Sequence, residues 1–432
     1  MTFENNLAFA KSLDAQDPLK AMRKEYLFPQ QNGKPLIYLC GNSLGLQPKL
    51  AKEVLNLQLD NWQNLAVEGW FEGDKPWMFY HKELKKLMAP IVGASPDEVC
   101  PMNTLTVNLH LLMVSFYRPT KARFKIIMEA GAFPSDQYAI ESQVRFHGYD
   151  PKEAIIEVSP KPGAYTLETG DIISEIEKHG AEIALVLFGG INYFTGQLFD
   201  MKAITEAGHE IGAKVGFDLA HAAGNVPLQL HQWGVDFACW CSYKYQNAGP
   251  GGISAIFVHQ KHFDNQNLHR FAGWWGYQEN NRFLMEKGFT PEFGADGWQV
   301  SCTQVMPMAL YHASLQLFEK VGFMEPLRKK SKQLTAYLCF IINEVNETLG
   351  EELFKIITPQ HPDERGAQVS IIAKENGKKV FDYLVSNNVL GDWREPNVIR
   401  LSAVPMYNSF EDVFKTGELL LTVAKSITND QL

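Results

Sequence analysis

Two charged side chains follow apolar runs in the middle of the chain. Asp218 ends the run KVGFD, and Lys244 lies three residues after the run FACWC, between Tyr243 and Tyr245. A lysine amine can hold pyridoxal phosphate as a Schiff base, and an acidic side chain can keep the pyridine nitrogen of that cofactor protonated. An aspartate and a lysine at strand ends therefore indicate pyridoxal-phosphate chemistry, although a lone loop lysine would indicate only a solvated charge.

The residues around this pair favour a ligand site. His221 lies three positions after Asp218, and the glycine-rich stretch NAGPGG after Lys244 allows the backbone to approach a ligand closely. A charge-assisted hydrogen bond from a ring nitrogen to Asp218 would contribute about 1.5–3 kcal/mol.

A phosphate group needs hydrogen-bond donors. Thr104, Leu105 and Thr106 open a helical pattern over Val107–Tyr117, and free N–H groups at a helix N-terminus bind anions. An ordinary threonine N-cap is the alternative.

A flat ring needs a stacking surface. The run RFKIIME is followed by AGAFPSD, in which Phe133 could stack on a ring. Pro134 follows it, and Ser135 and Asp136 are either N-caps or cofactor contacts.

A carboxylate could be bound by Arg400, which lies in the apolar run NVIRLS. Arginine is suited to bidentate capture of a carboxylate. A strand arginine in an ion pair is the alternative.

The elements that must position these residues form an alternating pattern. Each apolar run has strand length and is apolar throughout, which is typical of strands covered on both faces. Helical patterns lie between several runs, so we expect an α/β fold with a mostly parallel sheet and ligands at the carboxyl ends of its strands. The predicted strands are Arg123–Glu129, Ala154–Glu157, Ile183–Phe188, Lys214–Asp218, Phe237–Cys241 and Ile253–Val258.

The C-terminal third has a different pattern, with long helices and two isolated strands. We expect residues 50–305 to form a large cofactor-binding α/β domain. Residues 1–49 and 306–432 would together form a smaller α+β domain.

Composition excludes several classes of protein. The 432 residues are 45% hydrophobic and carry a net charge of -9 without a Lys/Arg-rich run, which argues against nucleic-acid binding. No apolar stretch is long enough to span a membrane, and the acidic N-terminus is not a signal peptide. The six cysteines form no zinc pattern or disulfide framework, so we expect a cytoplasmic protein without a metal. GxGxxG, Walker A, HExxH and GxSxG motifs are absent.

Three longer blocks carry a resemblance to a known family. They are TLTVNLHLL (104–112), AFPSDQYAIESQ (132–143) and GFDLAHAAGNVPLQLHQWGVDFACWCSYKYQNAGPGG (216–252). With these blocks the chain resembles kynureninases, nearly end to end. The resemblance implies fold type I of the pyridoxal-phosphate enzymes, with a seven-stranded sheet. It also implies a homodimer that hydrolyses L-kynurenine, or its 3-hydroxy form, to anthranilate or 3-hydroxyanthranilate and L-alanine.

The resemblance also implies roles for individual residues. Lys244 would hold the cofactor, Asp218 would pair with its ring nitrogen, and Tyr243 would contact the cofactor at or near its phosphate. From its chemistry, a phenol held there can give and recover a proton, so we expect Tyr243 to be a proton relay. Other cofactor contacts would be Leu105, Thr106, Phe133, Pro134, Ser135, Asp136, His221, Cys302 and, from the partner subunit, Trp274. The substrate would meet Arg400, Trp70 and Ser43.

Three positions depart from the family pattern. Cys302 stands where an asparagine is common, Gly189 where some members have a serine, and Trp70 where animal-type members have a histidine. Because an indole offers an apolar wall and no good acceptor for a ring hydroxyl, we expect unhydroxylated kynurenine to be the better substrate. The alternatives are a desulfurase-like or aminotransferase-like enzyme of the same fold and an inactive cofactor-binding regulatory protein.

Overall fold

A computed structural model describes residues 2–265 and 267–428. Its centre is a seven-stranded sheet whose strands run, from edge to edge, Val99–Pro101, Ser254–Val258, Phe237–Cys241, Lys214–Asp218, Ile183–Gly189, Lys125–Glu129 and Ile155–Val158. The last five in this order are parallel neighbours, and Ser254–Val258 is antiparallel to both of its neighbours. The expected mostly parallel seven-stranded sheet is confirmed.

Alternate residues of each central strand enter two different cores. In Ile183–Gly189, Val186 and Phe188 join the core on one face, whereas Leu185 and Leu187 join the core on the other. Side chains on a strand alternate between faces, so a strand covered twice must be apolar throughout. This explains the continuous apolar runs of the sequence.

Helices cover both faces of the sheet. On the face of Val186 and Phe188, the core includes residues of Tyr80–Val92, Thr169–Lys178, Met201–Glu210 and Val305–Lys320. On the opposite face, it includes residues of Leu105–Phe116 and Pro134–Phe146. The remaining α-helices are Leu7–Gln16, Leu50–Leu65, Pro151–Ala154, Met324–Leu349, Gly377–Ser386 and Phe410–Thr428.

A second, antiparallel sheet has the strand order Phe354–Ile356, Gln368–Ala373, Val398–Ser402 and Asp392–Arg394. It shares a separate core with the helices Met324–Leu349, Gly377–Ser386 and Phe410–Thr428. The N-terminal helix Leu7–Gln16 joins this core through Ala10 and Leu13. The division at residues 49/50 and 305/306 stays a prediction.

Hydrogen bonds and strand pairing tie the N-terminal segment to the C-terminal third. Asp14 accepts hydrogen bonds from the backbone nitrogens of Phe410 at 2.8 Å and Glu411 at 3.0 Å, and so caps the last helix. Ile37–Tyr38 pairs with Val389–Leu390. The other two-stranded pairs are Tyr26–Leu27 with Gln47–Pro48 and Gln30–Gln31 with Lys34–Pro35.

Short 3₁₀ helices connect these elements. They are Lys20–Glu25, Ala66–Trp70, Trp77–Phe79, Pro96–Glu98, Gln260–His262, Trp274–Gly276, Glu279–Leu284, Gly294–Trp298 and Pro362–Glu364. None of the helices in the described residues is long and apolar enough to cross a bilayer.

Candidate active site

A buried cleft lies at the carboxyl edge of the large sheet. Three adjacent strands end there in Glu129, Gly189 and Asp218, and Asp218 is in register with Gly189. The cleft is lined by Glu129, Phe133, Asp136, Gly189, Ile191, Tyr193, Asp218, Ala220, His221 and Lys244. The sheet therefore brings together the aspartate and the lysine that the sequence separates.

Lys244 is buried beside a neutral histidine. Its Nζ lies 3.0 Å from His221 Nε2 and 5.6 Å from the centre of the Phe133 ring. Burial, and then the charge of Lys244, hold the pKa of His221 well below its usual value. When the Lys244 nitrogen donates to Nε2 of the neutral ring, Nδ1 carries the ring proton. That buried Nδ1 has no partner in the described protein, so it is free to donate to a ligand.

Asp218 and Asp136 form a carboxyl pair. Asp218 Oδ1 accepts from the backbone nitrogen of Ala220 at 2.7 Å, and the two carboxyl groups are hydrogen-bonded to each other. Burial raises the pKa of both, and the charge of Asp218 raises that of Asp136 further. Asp136 is therefore the proton donor and Asp218 the carboxylate, which suits Asp218 to accept a hydrogen bond from a protonated ring nitrogen.

Glu129 is a third acid of the cleft that sequence reasoning missed. It is buried, and both of its carboxyl oxygens lie 3.2 Å from the backbone nitrogen of Gly189. Burial, and to a smaller extent the charge of Asp218, raise the pKa of Glu129 to about 7. The available signal was its position, because Glu129 ends an apolar strand in the same way as Asp218.

The expected phosphate site is a helix start with unengaged donors. Leu105 is the first residue of Leu105–Phe116, and the preceding Thr104 makes no side-chain capping bond. Thr106 Oγ1 lies 2.8 Å from Ser135 Oγ, which joins the two helices that face the cleft. The alternative that Ser135 is an N-cap is wrong.

The helix Pro134–Phe146 explains that correction. Phe133 occupies its N-cap position, and Pro134 is its first residue, where a missing N–H costs nothing. Ser135 and Asp136 therefore lie inside the first turn, and Asp136 is not an N-cap either. Phe133 is 39% exposed, which leaves ring area free for stacking.

Tyr243 is half-buried beside the lysine. Burial, and then the neighbouring Cys241, raise the pKa of its phenol, and the hydroxyl is hydrogen-bonded to the Cys241 thiol. The backbone oxygen of Tyr243 accepts from Gly45 at 2.8 Å. A β-carbon at Gly45 would lie 2.4 Å from the oxygen of Lys244, so the motif GNSLGLQP approaches the lysine loop as only glycine allows.

Arg400 is brought near the cleft by the second sheet. Its Nε and Nη2 pair with Asp392 Oδ1 and Oδ2 at 3.1 and 2.8 Å, and Nη1 donates to the backbone oxygen of Tyr193 at 2.7 Å. The side chain is only 1% exposed. Tyr193, which lines the cleft, packs between Arg400 and Phe133, with ring distances of 5.9 and 5.2 Å.

Arg400 therefore contacts the wall of the cleft through Tyr193. After the bonds to Asp392 and Tyr193, each terminal nitrogen of the guanidinium still has one unused N–H group. Two such groups are what a carboxylate needs for bidentate binding. Neither Tyr193 nor Asp392 was found from sequence. The ion pair considered as an alternative for Arg400 is present, and it fixes the orientation of the guanidinium.

Four other predicted site residues are not among those that line the cleft. Trp70 contacts Trp77 and Trp275 with ring distances of 5.7 and 5.4 Å. Trp274 is 43% exposed, and its Nε1 donates to the backbone oxygen of Arg282 at 3.2 Å. Cys302 is exposed, and Ser43 is half-buried, with its backbone nitrogen donating to Cys40.

One compact group of possible metal ligands lies elsewhere among the described residues. It consists of Glu98, His231 and His259. His259 Nδ1 accepts from the backbone nitrogen of Lys261, and Nε2 bonds to the backbone oxygen of His231. With both nitrogens engaged, His259 serves the local backbone rather than an ion.

The residues of the cleft fit pyridoxal phosphate. The aldehyde of the cofactor requires an amine, and its ring nitrogen requires an ionised acid. A polar ring substituent can accept from a free imidazole N–H, and the ring itself can stack on an exposed phenyl face. Asp136 Oδ1 is a further buried polar atom without a partner. Such orphaned atoms are costly unless a ligand pairs with them.

The raised pKa of Glu129 gives a testable pH dependence. From its ordinary value of 4.5 up to about 7, the unfolded chain has already lost this proton while the folded chain keeps it, so stability falls as pH rises through that window. Between about pH 5.5 and pH 8, the free energy of unfolding of the cofactor-free wild type should fall by roughly 2 kcal/mol more than that of the Glu129→Gln variant. Urea unfolding across this range measures the difference, with exposed Glu157→Gln as control. Parallel profiles for all three proteins would contradict the expectation.

Comparisons with known proteins identify relatives of this chain. Residues 327–420 match the family model described as the kynureninase C-terminal domain. The chain is 56% identical to a kynureninase of Flavobacterium psychrophilum over 97% of this chain and 98% of that protein. It is 50% identical to a kynureninase of Myxococcus xanthus over 96% of both chains.

Solved structures share the fold at low identity. A cysteine desulfurase from Thermococcus onnurineus has a TM-score of 0.77 at 16% identity and covers 94% of this chain and 98% of its own. The cystine C–S lyase C-DES, solved with its product cysteine persulfide, has a TM-score of 0.74 at 15% identity and covers 89% of this chain and 97% of its own. These likenesses show the fold type I architecture, and the sequence identity shows the family. The chain belongs to the kynureninases.

Proposed function

We propose that this protein hydrolyses L-kynurenine to anthranilate and L-alanine, and 3-hydroxy-L-kynurenine less efficiently to 3-hydroxyanthranilate and L-alanine, with pyridoxal phosphate held by Lys244. In the balanced reaction, water gives its hydroxyl group to the γ-carbonyl carbon and a hydrogen to Cβ as the Cβ–Cγ bond breaks. The supporting observation is that Lys244, the neutral His221 and the Asp218 carboxylate line the same buried cleft. The membership of the chain in the kynureninases supports the choice of substrate.

Lys244 and Asp218 carry the central roles. When bound, the cofactor supplies the electron sink that stabilises a carbanion at the substrate's Cα. The free Lys244 amine would be the base that removes the Cα proton. Asp218 holds the proton on the ring nitrogen, and Asp136 favours the ionised form of Asp218 by donating a hydrogen bond to it from its own protonated carboxyl group.

Tyr243 relays a proton in this proposal. Its raised pKa keeps the phenol protonated, and the phenol lies one residue from Lys244. The thiol of Cys241 is the hydrogen-bond partner of this phenol in the cofactor-free protein. Because a thiol can both donate and accept, this hydrogen bond can break when the phenol turns towards a ligand and form again when it turns back. The N-terminus of Leu105–Phe116, with Thr106, holds the phosphate.

Arg400 binds the substrate's α-carboxylate. Asp392 and the Tyr193 carbonyl hold the guanidinium from two sides and leave donors on both terminal nitrogens. The Tyr193 ring lies between Arg400 and the cleft. This ring must therefore turn before a substrate carboxylate can reach the free N–H groups of Arg400.

The active form in this proposal is a homodimer. Large apolar side chains are exposed around Trp274, and an exposed apolar surface of this extent commonly marks an interface. Its members include Phe71, Phe271, Phe283, Leu284, Met285 and Phe293. Trp274 and Cys302 would complete the partner's cleft. The free cysteines of the described residues suit a cytoplasmic location. Kynurenine as substrate would give the enzyme a role in tryptophan breakdown or nicotinamide-cofactor synthesis.

Replacing Lys244 tests the cofactor assignment. Lys244→Ala should abolish turnover and the absorption of covalently held cofactor, because no other amine lines the cleft among the described residues. Spectra and anthranilate release are measured alongside Lys152→Ala, which changes an exposed lysine. Near-normal activity in Lys244→Ala would end the assignment.

Replacing Arg400 tests carboxylate binding. Arg400→Ala should raise KM for kynurenine at least tenfold, about 1.4 kcal/mol, with cofactor content unchanged. Because removing one partner of a buried ion pair destabilises proteins by about 3–5 kcal/mol, Arg400→Lys is the second variant, which keeps the charge and loses the fork. An unchanged KM in both variants removes Arg400 from the substrate site.

Trp70 tests the substrate preference. Wild-type protein should have a higher kcat/KM for kynurenine than for 3-hydroxykynurenine. Trp70→His should narrow that ratio, because an imidazole can accept a hydrogen bond from the ring hydroxyl. Cys302→Asn is assayed in parallel. A ratio that favours the hydroxylated substrate in the wild type would contradict the expectation.

A further inference from the structure

Glu129 has no task in the chemistry described above, although it lines the same cleft as Lys244 and Asp218. Its side chain is buried, and its two oxygens each lie 3.2 Å from the backbone nitrogen of Gly189, with the backbone N–H of Glu129 itself as a second donor. Two N–H partners leave some of the acceptor positions of a buried carboxyl group unused, and such groups in native proteins generally meet a ligand or keep their proton.

Gly189 is the reason why this carboxyl group can lie where it does. A β-carbon at position 189 would lie 2.9 Å from Glu129 Oε1, which is closer than β-carbons approach other heavy atoms. The backbone of Gly189 is not in the left-handed region, so glycine is not needed there for conformation. The space is needed instead, and the Glu129 carboxyl group takes it.

The strand order makes this arrangement possible. Gly189 ends the strand between those that end in Glu129 and Asp218. A carboxyl group that crosses Gly189 from the Glu129 strand therefore approaches the Asp218 side of the cleft. The electrostatic effect of Asp218 on Glu129 agrees with this placement.

We propose that Glu129 and Gly189 are a matched pair in the cofactor site, in which the Glu129 carboxyl group crosses Gly189 and forms the wall facing pyridoxal phosphate beside Asp218. The inference rests on the proposed function for the presence of the cofactor. The pair adds Glu129 as a cofactor-binding residue and requires that position 189 carry no β-carbon. Burial keeps Glu129 mostly protonated below about pH 7, where it faces the cofactor as a hydrogen-bond donor while Asp218 carries the charge.

A double-mutant cycle measures this coupling. The holoenzymes of wild type, Glu129→Ala, Gly189→Ala and the double variant are purified, freed of cofactor and titrated with pyridoxal 5'-phosphate to obtain Kd. Gly189→Ala should weaken binding at least tenfold, because its methyl group drives the carboxyl group into the cleft. Glu129→Ala should weaken binding about tenfold through loss of the wall. The double variant should bind no more weakly than Glu129→Ala, because the methyl group then enters vacated space.

Matched controls separate this coupling from general damage. Glu157→Ala removes an exposed glutamate from the neighbouring strand, and Gly170→Ala adds a β-carbon at a position with nothing within 4 Å. Both should bind the cofactor within twofold of wild type. Thermal unfolding of each cofactor-free variant reports whether the fold is kept.

Two results would overturn the pair. One is additive losses in the double variant. The other is a Kd for Glu129→Ala within twofold of wild type, which decides the matter even where Gly189→Ala cannot be purified. Wild-type protein that fails to bind pyridoxal phosphate would instead overturn the proposed function. Wild-type binding that depends on Lys244, with all Glu129 and Gly189 variants binding normally, would overturn only the pair.

Discussion

The burial of three carboxyl groups around one lysine amine is the constraint on which the active site depends. Glu129, Asp136 and Asp218 line a cleft whose only lysine among the described residues is Lys244, and His221 stays neutral beside it. Three carboxylates cannot all be ionised in such surroundings, since each unpaired buried charge costs several kcal/mol. The protons are therefore shared among the acids, and Asp218 is left as the carboxylate that a protonated heterocycle can complete.

The fold supplies this arrangement from distant parts of the chain. Parallel strands deliver Glu129, Gly189 and Asp218 to one edge because their apolar runs must be covered on both faces. The GNSLGLQP segment reaches the lysine loop through Gly45, and the second sheet contributes Arg400 through its contacts with Tyr193. The site thus forms where both sheets and the N-terminal segment meet, which is a common place for ligand sites in α/β proteins.

Much of the sheet could be predicted from sequence, because continuous apolar runs report strands covered twice. All six predicted strands match to within two residues at each end, and Val99–Pro101, only three residues long, carried too little pattern to be found. Lys244, Asp218 and His221 were found because they follow strands. Glu129 ends an apolar strand in the same way and was missed. Tyr193 and Asp392 could not be found, because their importance comes from contacts with Arg400 made between separate sheets. The roles of Trp274 and Cys302 stay predictions, since they concern a second subunit.

The central claim is that pyridoxal phosphate is held covalently by the lysine that shares a cleft with Asp218. The most direct measurement is borohydride reduction of the purified protein followed by proteolysis and mass spectrometry of the peptides. The yellow colour should disappear on reduction, and a phosphopyridoxyl group should remain on the peptide that contains Lys244. A colourless protein that takes up no added cofactor, or a modified lysine elsewhere in the chain, would contradict the claim.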